Sequence, residues 1–73
     1  MKITIENTTK TVTADGVLCR VWEGVSDSGI RVVCLIPRIA VAEGQDVSQF
    51  EKELQQTKAP SPETQAFPLR MVL

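Results

Sequence analysis

The chain contains no histidine and no tyrosine among its 73 residues. Histidine is the side chain whose ordinary pKa suits proton transfer near neutral pH, so its absence removes most acid–base hydrolase chemistry. Two cysteines without histidine fall short of a metal-ligand set, and no metal or other cofactor is expected. No apolar run approaches the roughly 18 residues that a membrane helix needs. The opening Met1-Lys2-Ile3-Thr4-Ile5-Glu6 alternates with polar residues where a signal peptide would carry a continuous apolar stretch. The expectation is a protein that stays in the cytoplasm where it is made and has no membrane partner. Charge of either sign is not in excess: eight basic residues face nine acidic ones, for a net charge of −1. A protein that neutralises many phosphates carries a basic surplus, so non-specific nucleic-acid binding is disfavoured. A phosphate-cradling glycine loop is also missing, since Gly24, Gly29 and Gly44 read as scattered turn glycines. Glu51 and Glu53 point to different faces of a helix and make a poor acid–base pair. These absences point away from an enzyme.

What is present is a long β-hairpin pattern from Val17 to Val41. Val17, Cys19, Val21 and Val25 share one face with Glu23 as the only polar member, and Leu18, Arg20, Trp22 and Gly24 share the other. The turn formers Ser26-Asp27-Ser28-Gly29 follow, and alternation resumes with Ile30, Val32, Cys34 and Ile36 on one face and Arg31, Val33 and Leu35 on the other. A four-residue loop predicts Val25 opposite Ile30, Val21 opposite Cys34 and Cys19 opposite Ile36. Cys19 and Cys34 would then be diagonal neighbours on one face, read as free buried thiols although a disulfide is geometrically open. On the reverse face Trp22 would lie opposite Val33, with Arg20 and Arg31 near enough to lay a guanidinium on the indole.

Around this hairpin the chain reads as one domain, residues 1–73. Lys2 to Glu6 and Lys10 to Ala14 read as two short strands broken at Asn7-Thr8-Thr9, with lysines guarding an exposed edge. Asp15-Gly16 is a turn signal leading into the central hairpin. Pro37 predicts a bulge or bend, with strand alternation resuming from Arg38 to Ala42. Asp46, or equally Ser48, offers a cap for a helix from Val47 to Thr57 whose apolar stripe is Val47, Phe50 and Leu54. Ala59-Pro60-Ser61-Pro62 predicts an extended segment, and Gln65 to Leu73 a last strand, at an edge because of Pro68. That strand is expected to pair with an edge of its own sheet or of a second copy. The predicted fold is α+β, an antiparallel four- to five-stranded sheet with one helix packed on one face. So small a core favours a homodimer.

One helix with a narrow stripe covers one face of such a sheet, leaving the other solvated, packed on a second subunit or presented to a partner. The candidate binding residues are Trp22, Arg20, Arg31, Val33, Leu35, Arg38 and Arg70, because Trp and Arg carry much of the binding energy at interfaces. The blocks Trp22-Glu23-Gly24, Pro37-Arg38-Ile39-Ala40-Val41, Phe50-Glu51-Lys52-Glu53-Leu54 and Ala66-Phe67-Pro68-Leu69-Arg70-Met71 occur in that order. Over residues 20 to 73 this order resembles that of small uncharacterised proteins encoded by bacteriophages. The resemblance implies an inhibitor of a host or anti-phage defence protein, such as an anti-CRISPR, working through protein–protein contacts. Two alternatives stand beside it. One is sequestration of a nucleotide signal, or binding of nucleic acid, through arginines of an oligomer. The other is a structural or assembly component of a virion.

Overall fold

The structure is a computed structural model and describes residues 1–65 and 70–73. Three antiparallel strands, β1 (Ile3–Ala14), β2 (Val17–Ser26) and β3 (Arg31–Ile36), form one sheet in the order β1-β2-β3. Two short helices follow, α1 (Val47–Leu54) and α2 (Pro62–Gln65). The fold is α+β. Among the described residues the sheet has three strands where the pattern predicted four to five. β1 is a single strand, and Arg38 to Ala42 takes no strand conformation. Of the expected carboxyl-terminal strand from Gln65 to Leu73, Gln65 ends α2, 66–69 lie outside the described residues, and 70–73 is not a strand.

The predicted amino-terminal hairpin is one strand because a side chain replaces part of the ladder. Asn7 pairs with Trp22 and Thr11 with Arg20, so residues 8–10 of β1 oppose Val21 alone. The fully buried Thr8 fills this bulge: its hydroxyl donates to the Val21 carbonyl at 2.6 Å and accepts from the Lys10 amide at 3.2 Å. Asn7-Thr8-Thr9 therefore interrupts the pairing without reversing the chain. On the outer rim of the bulge, Thr9 N donates to the Lys58 carbonyl at 3.0 Å and Lys58 N to the Asn7 carbonyl at 3.2 Å. A short parallel bridge thus covers this edge of the sheet.

Asp15 and Gly16 both take positive φ, 51° and 76°, giving the two-residue turn that joins β1 to β2. Gly24 is not a turn glycine. It lies in β2 opposite Ile5, where a Cβ would overlap the Thr4 carbonyl oxygen and come within 2.7 Å of its carbon. The β2–β3 register also differs from expectation, by one residue. Gly29 N donates to the Ser26 carbonyl at 3.0 Å and Ser26 N to the Ile30 carbonyl at 2.9 Å, with Gly29 at φ 85°. The loop is therefore three residues, Asp27-Ser28-Gly29, ending in a left-handed glycine. Trp22 consequently pairs with Cys34, Val21 with Leu35 and Glu23 with Val33. A one-residue slip turns every side chain of one strand to the other face. Cys19 and Cys34 thus lie on opposite faces as free thiols.

α1 begins as predicted at Asp46, whose carboxylate accepts from Gln49 N at 3.0 Å. It ends at Leu54 rather than Thr57 because its last turn tightens. Gln55 N and Gln56 N donate to the Lys52 and Glu53 carbonyls, and Asn7 Nδ2 reaches from β1 to the Leu54 carbonyl at 3.0 Å. No residue of α1 is buried. The segment predicted as extended also turns helical at Pro62. Both Thr64 N and Gln65 N donate to the Ser61 carbonyl at 3.1 Å, with proline in the first helical position, where its missing N–H has no cost.

Candidate functional site

The two faces of the sheet are finished differently. On the face carrying Cys19, Val21 and Glu23, the chain from Lys58 to Gln65 forms a strap held by one carboxylate. Glu23 is buried and accepts from Ser61 N at 3.2 and 3.1 Å, from Ser61 Oγ at 3.0 Å and from the buried Thr64 hydroxyl, while Lys58 Nζ stands 2.9 Å away. Burial pushes the Glu23 carboxyl up. The hydroxyl of Thr64, the Lys58 ammonium and the Ser61 donors together outweigh it and bring the pKa from the ordinary 4.5 down to about 2. The same contact raises the pKa of Lys58. Lys10 Nζ donates to the Thr64 carbonyl at 3.4 Å, and Arg31 forms an exposed ion pair with Glu63, so the strap is tied to all three strands. Cys19 and Val21 lie on this face and are the only buried apolar residues among those described.

The opposite face is open. Beneath the end of α1 and the turn after β3 lies a cleft of about 550 Å³, with Trp22, Arg20, Ile36, Arg38 and Leu54 in its lining. Arg20 is held in place: its Nη1 donates to the Thr8 carbonyl at 3.1 Å and to Asn7 Oδ1 at 3.5 Å. Asn7 therefore fixes both the cleft arginine and the helix end. Arg38 is exposed at the cleft mouth, just past Pro37. Among the described residues no carboxylate lines this cleft. A second hollow of about 490 Å³ adjoins it on the far side of Trp22, under Phe50, and there Glu6 and Glu53 supply negative charge. Trp22 sits half-buried between a cationic and an acidic hollow.

Of the predicted binding residues, the structure brings Arg20, Trp22 and Arg38 together. Val33 and Leu35 face the strap instead, because of the register, and Arg31 is engaged there with Glu63. Arg20, expected beside the indole, lines the same cleft as Trp22 and bonds through Nη1 to Thr8 and Asn7. Arg70 is exposed. Sequence reasoning missed Glu23, Ser61 and Thr64. Glu23 stood out as the one polar residue in an apolar alternation, and Ser61 before Pro62 is a helix-cap signature.

Among the described residues no cluster of three side chains could hold a metal, and no helix is long and apolar enough to cross a membrane. No family model matches the chain, and no curated protein or solved structure matches it.

Proposed function

We propose that the protein is a non-enzymatic binding protein that works by occupying a protein partner through the Trp22 cleft. The observation that carries this reading is an exposed cleft combining a half-buried tryptophan, apolar Ile36 and Leu54 and two arginines, in a chain whose net charge is −1. Tryptophan and arginine anchors surrounded by apolar contacts are the composition of an interface hot spot. The adjoining acidic hollow gives the surface two charge signs on either side of one aromatic anchor, which suits a protein segment of mixed charge. In a bacteriophage setting such a binder would act as an inhibitor of a host or defence protein, of the anti-CRISPR kind.

A second reading rests on the absence of carboxylates among the described residues of the larger cleft: a nucleotide signal stacked on Trp22 with its phosphates on Arg20 and Arg38. Native mass spectrometry of tagged protein recovered from bacterial lysate separates the two. The protein-partner reading expects a stoichiometric protein that is lost with Trp22→Ala while the fold is kept. Added mass of nucleotide size, lost with Arg38→Ala, would replace it with the second reading. Retention of the same protein by Trp22→Ala and Arg38→Ala variants would contradict the cleft assignment.

A further inference from the structure

The two edges of the sheet differ as its faces do. The β1 edge is bulged at Thr8 and covered by the Lys58 bridge. β3 carries no bulge, no lysine and no proline; its one charge, Arg31, is paired with Glu63 of the strap, and Pro37 falls just beyond its end. Native sheets blunt exposed edges with such devices, and an edge without them is a template for another strand. Because Ser26 N bonds the Ile30 carbonyl, alternation turns the backbone groups of Val32, Cys34 and Ile36 toward β2 and those of Arg31, Val33 and Leu35 outward.

We infer that this edge is where two copies of the chain join, β3 pairing antiparallel with β3 about a two-fold axis through Val33 to give one continuous six-stranded sheet. The outward set is self-complementary in that register alone. Val33 meets Val33 of the second copy and Arg31 meets Leu35, so every outward N–H and C=O finds a partner, about six ladder bonds in all. Shifting by two residues one way sets Arg31 against Pro37, which has no N–H, and the other way sets Leu35 against Gly29 in the turn. The flanking side chains suit the junction: Val33 and Leu35 on one face and Val32, Cys34 and Ile36 on the other are half-buried apolar groups that a neighbouring strand would cover.

Surface area leaves room for a full interface. The chain exposes 5936 Å², whereas a compact monomer of 8.0 kDa exposes about 4,500 Å². The excess is larger than the roughly 800 Å² per partner that a stable interface buries. The radius of gyration, 13.2 Å, likewise exceeds the about 11 Å of a compact chain of this length. Paired strands keep side chains of one face on one face, so the dimer presents both Trp22 clefts on the same side, a bivalent surface. The dimer itself does not depend on what those clefts bind.

Val32→Cys tests the register. It places the new thiol opposite Cys34 of the second copy in a non-hydrogen-bonded pair, at about 4.5 Å between Cα atoms, within disulfide range. After mild oxidation the variant is expected to run as a covalent dimer containing a 32–34 bridge between chains, and wild-type protein to sediment as a dimer at micromolar concentration. Val33→Pro removes an outward N–H that β2 does not use and is expected to give a folded monomer by sedimentation and circular dichroism. A monomeric wild-type protein with no cross-linked Val32→Cys dimer would overturn the inference, as it would if the carboxyl-terminal segment occupied the edge instead. A folded Val33→Pro dimer would overturn it as well.

Discussion

The strapped face and the cleft face are made from the same strands, and the difference between them lies in one residue on each side. Glu23 is a carboxylate placed in an apolar row, an arrangement that is costly unless its oxygens are filled by donors. Ser61, Thr64 and Lys58 fill them, and in doing so fix a segment about forty residues away in sequence. Trp22, one residue earlier, faces the other way and is half-buried between two hollows beside the end of α1, so part of its apolar surface stays open to a ligand. The comparison teaches that specificity within the fold comes from a polar network, and the capacity to bind from apolar surface the fold does not cover.

Breaking the strapped side should have the largest effect on stability. Glu23→Ala leaves the Ser61 and Thr64 donors without their acceptor and is expected to lower unfolding free energy by about 3 kcal/mol in urea titrations. Thr64→Val, which removes one hydroxyl of the network and keeps the shape, should lower it by about 1–2 kcal/mol. The cleft side should show the reverse balance. Trp22→Ala is expected to lower stability by only about 1 kcal/mol, well below the loss at a fully buried aromatic, and yet to abolish partner binding in a pull-down. Arg38→Ala should leave stability within about 0.5 kcal/mol of wild type and weaken binding by about tenfold, read by titration calorimetry.

The parts of the fold legible in the sequence are those set by neighbours in the chain. The Asp15-Gly16 turn, the paired strands β2 and β3 and the Asp46 cap all follow from local patterns. The register escaped because it turns on whether Gly29 closes a three-residue or four-residue loop, and both loops are chemically allowed. That single residue exchanged the companions of Trp22, removing Val33 and Leu35 from its face and bringing Cys34 and Ile36. Thr8 escaped because a threonine hydroxyl bonding to a partner strand leaves no local signature, so Asn7-Thr8-Thr9 read as a turn. Of the candidate site, Arg20, Trp22 and Arg38 were found from residue type alone. Asn7, which positions Arg20 and ends α1, depends on contacts 13 and 47 residues away in sequence and gave no signal.

The measurement that bears most directly on this division of labour is an NMR pH titration that follows the Glu23 side-chain carboxyl, the Ser61 and Thr64 amides and the Trp22 indole together. A carboxyl whose pKa falls on folding contributes stability that is complete above its unfolded value and lost as pH falls toward its folded one. Glu23 should therefore titrate at about 2, with the network's stabilisation fading between 4.5 and that point. The Ser61 and Thr64 amides should move with it and the indole should stay still while the sheet is folded. A Glu23 midpoint near 4.5, with strap amides that do not follow it, would contradict the clasp and the contrast between the two faces.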